Sequence, residues 1–436
     1  MAIGNPSQAP TGPMVQPAGR GRRTAALTRP RIVLAAIAVL FMISAARAIT
    51  DTRDLTSIGT FEGALRAAIP IALAGLGGLY AERAGVVNIG LEGMMILGTW
   101  FGAWAGWQWG PWVGVLVAVL GGAAGGLLHA VATVTFQVDH IVSGVAINIL
   151  GGGIARFLSS LAYGPETGGG VTQSPIVGGS IGTFSVPVLA GGELFGWQSP
   201  DVLRWLAVKR WLFVSDAAGL LHGLTGNLSL LTILSLALIP FSVWLLWHTP
   251  FGLRLRSVGE NPGAAESLGV PVYTMKYLAV VISGALAGLA GAFIVLINST
   301  NYKEGQTGGR GFIGMASMIF GNWRPVGVAI GSGIFGFADA LQIRSNEAIH
   351  SLLLFVAMMI GSLALVMLTR GRLPGAAVLG AVAAGFLIWY LQSDTVPAEI
   401  IYCTPYVVTL VVLASAGQRL RPPTADGLRY QKGQVH

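Results

Sequence analysis

Charge is scarce in this chain: Asp, Glu, Lys and Arg make up 10% of its 436 residues, while 53% are hydrophobic. Soluble domains carry about a quarter charged residues, so a water-soluble globule is excluded. The single cysteine, Cys403, excludes an internal disulfide, and the six histidines show no metal-ligand spacing. Lysine is rare too, and none of Lys209, Lys276, Lys303 and Lys432 follows the glycine pattern of a phosphate-binding Walker A loop. The chain cannot hydrolyse ATP by that route. Gly178-Gly179-Ser180-Ile181-Gly182 matches the spacing of a nucleophile elbow, but it lies in a glycine-rich loop with no strand before it and no helix after it. No hydrolase follows from it.

What the chain has in quantity is apolar runs of membrane-spanning length, near 32–49, 63–80, 94–109, 112–136, 140–162, 228–247, 276–297, 351–369, 374–393 and 398–416. The expected fold is an all-α, polytopic transmembrane helical bundle of about ten spans plus one broken or re-entrant segment, embedded in membrane lipid. The net charge of +8 sits in short basic clusters beside the apolar runs, as membrane orientation requires, and does not call for nucleic acid as a partner. Residues 1–30, rich in Pro, Gly and Ala with several arginines, read as a disordered cytoplasmic tail. Residues 31–417 read as the transmembrane domain, and 418–436 as a second cytoplasmic tail.

The stretch 311–343 is too long for one ordinary crossing and is interrupted by Gly321-Asn322-Trp323-Arg324-Pro325. A single crossing would put Arg370, Arg372, Arg419, Arg421, Arg429 and Lys432 outside, against the positive-inside bias. An element that returns to its own side instead places both termini, the 248–275 loop and 370–373 in the cytoplasm. Irregular backbone at membrane depth needs protein or water around it, so the break at 321–325 is expected to be wet and to line a path. The 163–227 segment is expected outside, with Trp197, Trp205 and Trp211 forming an amphipathic interfacial helix. Small residues at helical spacing, among them Gly121/Gly125, Gly122/Gly126, Gly284/Gly288 and Gly327/Gly331, are helix-packing signals.

Between two apolar helices lies the polar loop Phe251–Gly269, FGLRLRSVGENPGAAESLG. Asn261-Pro262 is a helix start and Gly269 a stop, so only about two turns of helix fit between them. Ala264 and Ala265 would let that helix sit deep in a partner's groove, and Glu260 and Glu266 could pair with partner cations. Glu82, Arg83, Asn88 and Glu92 are charged or polar groups near a membrane segment, where such groups are costly and line polar paths or pair with one another. Asn88 and Glu92, four apart, would share one helical face. Asn148 in the 140–162 span is a further polar group, expected either in the path or as an interhelical hydrogen bond.

Three segments carry a resemblance: Tyr80 to Met95, containing ERAGVVNIGLEG; Gly252 to Gly269; and Gly311-Phe312-Ile313 through Phe320-Gly321-Asn322-Trp323-Arg324-Pro325-Val326-Gly327. Together they resemble the permeases of ATP-binding cassette importers for simple sugars, branched-chain amino acids and nucleosides, the first string being most similar to the nucleoside type. Gly263 stands where the family's coupling-loop pattern has Glu, while Ala264, Ala265 and Gly269 fit. The resemblance implies a coupling loop at 250–275 that grips an ATPase through Gly259, Glu260, Asn261, Ala264, Ala265, Glu266 and Gly269. The substrate path would run by Glu82, Asn88, Glu92, Asn148, Phe312 and Trp323. It also implies two ATPase subunits that bind the ATP, a second permease subunit, an extracytoplasmic substrate-binding lipoprotein and no cofactor of the chain's own. Nucleosides are the expected cargo, with ribose-like sugars the alternative. An ion-coupled secondary transporter using Glu82, Glu92 and Asp339 as proton carriers is the competing class.

Overall fold

The computed structural model describes residues 29–194, 196–342, 346–393, 396–397 and 420–433. The apolar run at 398–416 and Cys403 lie outside the described residues, as does the 1–30 tail except for its last two positions. Seven of the described helices are long and apolar enough to cross a membrane, and the protein is mostly helical.

Helix α1 (Arg29–Thr50) leads to α2 (Ile58–Arg83), which Ser57 starts by accepting from Thr60 N. The next three are α3 (Leu91–Trp109), α4 (Pro111–Ala130) and α5 (His140–Ala162), the last capped by Asp139 on Ile141 N and Val142 N. The 163–229 segment holds the short helices α6 (Val202–Val208) and α7 (Val214–Thr225) and two two-stranded ribbons, Thr183–Phe184 against Leu228–Ser229 and Glu193–Leu194 against Trp197–Gln198. Then follow α8 (Leu230–His248), α9 (Pro250–Glu260), α10 (Pro262–Ser267), α11 (Val272–Phe293), α12 (Arg310–Phe320), α13 (Pro325–Gln342), α14 (Asn346–Thr369) and α15 (Leu373–Gln392).

Helices α2 and α11 occupy the centre. Among alternatives equally apolar, what places them there is the loss of side chains at glycine. A Cβ on Gly122 would lie 2.3 Å from Gly284 O, one on Gly288 2.3 Å from Ala118 O, and one on Gly98 2.4 Å from Gly288 O. The backbones of α3, α4 and α11 therefore touch directly, as expected where lipid supplies little hydrophobic drive for association. The packing reading of Gly122/Gly126 and Gly284/Gly288 is what the structure shows, whereas Gly121 and Gly125 face the side chains of Phe101 and Met94. At the other extreme, Ala376 is the one buried residue of α15, so this helix is peripheral.

The 311–343 stretch is broken where the sequence pointed, at 321–324, with Asn322 and Trp323 at φ +52° and +53°. Helix α12 has 11 residues, about 16 Å, or half a bilayer core. It starts at mid-bundle and runs to the end that carries Gly259. Helix α13 then runs the whole way back, its Asp339 paired at 2.7 Å with Arg310 at the start of α12 and its Gly336 packed on Ala64 and Ala68. The 321–324 turn lies beside the end of α2, at the end of the bundle that carries Gly259. Pro325 opens α13, where its missing N–H costs nothing, and a second stretch of irregular backbone, Gly308-Gly309 at φ +56° and +78°, precedes α12.

The 163–229 segment differs from expectation in its helices. Trp197 lies in a ribbon, Trp205 in α6 and Trp211 in the turn after it, so they form no single amphipathic helix. The segment is anchored to α1 by Arg47 Nε against the buried Asp216 carboxylate at 2.8 Å, which also accepts from Thr56 Oγ1.

Candidate functional site

Three sets of polar groups, distant in sequence, converge on the connection between α2 and α3. Arg83 at the end of α2 donates to Trp323 O through Nε (3.1 Å) and Nη2 (2.8 Å), while Trp323 Nε1 donates to Glu82 Oε2 at 2.5 Å. Trp323 is 5% exposed and packs with Leu76, Leu79, Leu246 and Leu255. It is a pin between α2 and the 321–324 turn, and the geometry gives it no exposure to a path.

Beyond Arg83 the chain leaves the helix at Gly85, φ +77°, and threads back into the bundle as residues 86–90. Backbone polar groups there would be orphaned in an apolar interior. His129 and His140 meet them: Val87 N donates to His140 Nδ1 at 3.3 Å, and His129 Nε2 bonds Val87 O at 3.1 Å while its Nδ1 bonds Ser143 Oγ at 2.8 Å. Ile89 O accepts from Asn148 Nδ2 at 3.0 Å, and Asn148 Oδ1 accepts from Gly93 N at 2.7 Å. Asn148 thus takes the interhelical hydrogen-bonding role.

Asn88 and Glu92 do not share a helical face. Asn88 Oδ1 accepts from Gly90 N at 3.0 Å, a side-chain turn that holds the backbone out of helix until Leu91. Its Nδ2 donates to Ser283 Oγ on α11 at 2.8 Å. Glu92, in the first turn of α3 and 7% exposed, reaches the start of α12: Oε1 accepts from Gly309 N at 2.9 Å and Oε2 from Gly311 N at 2.7 Å. The carboxylate caps a half-helix whose N–H groups and positive dipole end would otherwise face apolar interior. Next to this cap Phe312 is 44% exposed, the most accessible of the path residues named from sequence.

The 250–271 loop is built as the sequence dictates. Thr249 caps α9, Asn261 Oδ1 accepts from Ala264 N at 2.9 Å to start α10, and Gly269 ends it at φ +80°. A Cβ on Gly259 would sit 2.2 Å from Arg83 O, so this loop is in backbone contact with the end of α2. One correction is needed to the expected outer face. Ala265 is 2% exposed and packs inward with Val258, Val272 and Met275. Asn261, Gly263, Ala264, Ser267, Leu268 and Gly269 point outward, and Leu268, at 84% exposed, is the protruding apolar group that residue-type reasoning passed over.

Sequence reasoning also missed His129, His140, Ser283, Gly309 and Lys276, whose Nζ donates to Gly85 O at 3.3 Å. None of these stands in a spacing that marks it; only the fold brings them to the connection. At the opposite end of the bundle a cleft of about 220 Å³ is lined by Glu62, Arg66, Asn227, Thr232 and Thr300 among others.

A buried capped half-helix and a polar connection lie within the bundle, with an outward short helix carried next to the end of α2, and similarity to other proteins decides what they serve. Residues 60–363 match the family described as branched-chain amino acid transport system, permease component. The chain belongs to that family. It is a permease and a multi-pass cell-membrane protein, a transport component that works with ATPase and substrate-binding partners. The permease is 33% identical over 373 residues to the guanosine ABC transporter permease protein NupQ of Bacillus subtilis, covering 84% of this chain and 94% of that one. It is 31% identical over 375 residues to the nucleoside ABC transporter permease protein NupC of Lactococcus lactis, covering 83% and 93%. It is 34% identical over 292 residues to the putative glucose ABC transporter permease protein TsgC13 of Haloferax volcanii, covering 66% and 78%. No solved structure matches.

Proposed function

We propose that the permease forms the transmembrane path of an ATP-driven nucleoside importer. The observation that carries the cargo is the near full-length likeness to guanosine and nucleoside permeases, with the exposed ring of Phe312 beside the α12 cap as the aromatic surface on offer and the neighbouring carboxylates already paired. A nucleoside has an aromatic base, a hydroxyl-rich sugar and no net charge, which suits such groups. Glu82 is occupied by Trp323, Glu92 by the α12 N-terminus and Asp339 by Arg310, and this favours ATP coupling over proton carriage by these carboxyls.

ATP is bound by two partner ATPase subunits, and this chain needs no cofactor of its own. A second permease subunit, identical or homologous, completes the path, and a substrate-binding lipoprotein delivers solute to the outer cleft at Glu62 and Arg66. The end carrying Gly259 is cytoplasmic. There α10 docks on the ATPase through Ala264, Ser267 and Leu268, with Glu260 and Glu266 tied back to the permease itself. Movement of α10 passes through the Gly259–Arg83 contact into the α2–α3 connection, and from there to Glu92 and α12.

Leu268→Asp tests the docking face. Its side chain touches solvent in the permease alone, so expression and melting temperature should stay unchanged. A buried carboxylate in the complex is costly, so co-purification of the ATPase subunits should fall at least roughly tenfold, equivalent to about 1.4 kcal/mol. Full retention with normal uptake would refute docking at this face.

A further inference from the structure

The tail 420–433 has no helix, no strand and no apolar periodicity, yet it lies across the whole Gly259 end of the permease. Arg421 N donates to Asn322 Oδ1 at 2.8 Å in the 321–324 turn. Thr424 donates to Glu260 Oε2 from N (3.3 Å) and Oγ1 (3.0 Å), and Ala425 N donates to Gly259 O at 2.9 Å. Asp426 turns inward beside Glu82, Arg83 and Lys276; burial pushes its carboxyl up to about 6, with a hydrogen bond to Glu82 and the Lys276 and Arg83 charges acting the other way. A Cβ on Gly427 would lie 3.5 Å from Val87 Cγ2, so the tail also touches the α2–α3 connection.

The same segment then passes beneath α10. Tyr430 is buried with Val258, Ala265, Val272 and Met275, its ring 5.4 Å from that of Tyr273. Gln431 Nε2 donates to Gln137 Oε1 at 2.8 Å in the turn between α4 and α5, and Gly433 N donates to Glu266 Oε2 at 3.4 Å. Pro422 and Pro423 restrict the chain before it binds, which lowers the entropy lost on ordering it. The tail covers only the inward side of α10. Ala264, Ser267 and Leu268 remain open, so the tail leaves the docking face free and fills the space behind it.

We propose that residues 420–433 are a transmission strap: a positioning segment that binds α10, the α2–α3 connection and the 321–324 turn into one moving body. It rests on the ABC permease reading above. Without the strap, α10 is joined to the bundle through the packing of Ala265 on Val258, Val272 and Met275, the Gly259–Arg83 contact and its links to α9 and α11, and a pull on α10 is absorbed by local hinge motion at Gly269.

The test uses the full assembly of the permease with its ATPase subunits. Two variants, Tyr430→Ala and a deletion of 420–436, are compared with the unaltered protein for ATPase retention, ATP hydrolysis and nucleoside uptake. The expected result is unchanged retention, continued hydrolysis and uptake per ATP lowered about tenfold, a coupling loss of a size usual between linked sites. A purely structural role would instead lower expression, retention and uptake together. Because the deletion could fail to fold, a second measurement bridges Gln137→Cys to Gln431→Cys with a short, reductant-cleavable bis-methanethiosulfonate linker in a Cys403→Ser background. A strap that moves with its neighbours keeps uptake when bridged. Unchanged uptake per ATP in the deletion, a parallel loss of ATPase retention, or a bridged protein whose uptake stops and is restored by reductant would each overturn the strap. An unaltered protein that retains no ATPase subunit would overturn the importer reading itself, a result distinct from all of these.

Discussion

Glu92→Ala should abolish uptake and markedly destabilise the permease, although Glu92 is a single acidic residue in a region where charge is usually unwelcome. Its carboxylate is the acceptor for Gly309 N and Gly311 N at 2.9 and 2.7 Å, the first donors of a half-helix that begins inside the bundle. Each donor left without a partner costs roughly 1–3 kcal/mol, and losing the negative charge at a helix start adds up to about 1 kcal/mol. The expected loss is therefore roughly 2–7 kcal/mol, read as a fall in the melting temperature of the detergent-solubilised protein. Glu92→Gln keeps one acceptor oxygen and should fall between Ala and the unaltered residue. Were Glu92 a proton carrier, Gln would be as inactive as Ala in uptake while melting normally.

Gly284→Val is expected to do more harm than any polar change. A Cβ there would lie 2.3 Å from Gly122 O and 2.8 Å from Gly126 Cα, against an ordinary C···O contact of about 3.3 Å. Helices α4 and α11 would have to separate by about 1 Å along their shared seam, and neither backbone can swing away as a flexible side chain could. Overpacking in ordinary cores costs roughly 1–3 kcal/mol; a backbone-to-backbone seam should exceed that. The measurement is the yield of monodisperse protein after extraction, expected to fall close to zero, with Gly153→Val as a control because nothing lies within 4 Å of a Cβ there. Equal yields from the two variants would show that the seam is not what holds the bundle.

The parts of this protein that could be read in its sequence are those whose determinants are local. The start and stop of helix α10 were legible, because Asn261 supplies the cap from three residues away and Gly269 the left-handed stop. The return of 311–343 to its own end followed from the positive-inside bias. The break at 321–324 was legible as well, but the irregular backbone at Gly308-Gly309 was not, because it is closed by a carboxylate 217 positions earlier in the chain. Asn88 illustrates the same limit: spacing put it on a face with Glu92, but its own side-chain bond to Gly90 N keeps it out of the helix. Ala265 was expected to meet a partner and instead meets Val258, Val272 and the chain's own Tyr430. The tail carries no periodic signal at all, since each of its bonds goes to a different element.

Cargo and power source together are tested most directly by uptake in membrane vesicles or liposomes holding the permease with its ATPase subunits and substrate-binding lipoprotein. Labelled guanosine, a pyrimidine nucleoside, ribose, glucose and leucine are offered separately, with ATP supplied on the ATPase side and no ion gradient imposed. The expected result is ATP-dependent accumulation of nucleosides that excess unlabelled nucleoside suppresses and excess ribose does not. Accumulation of sugar or leucine alone, or nucleoside uptake that needs a proton gradient and ignores ATP, would contradict it.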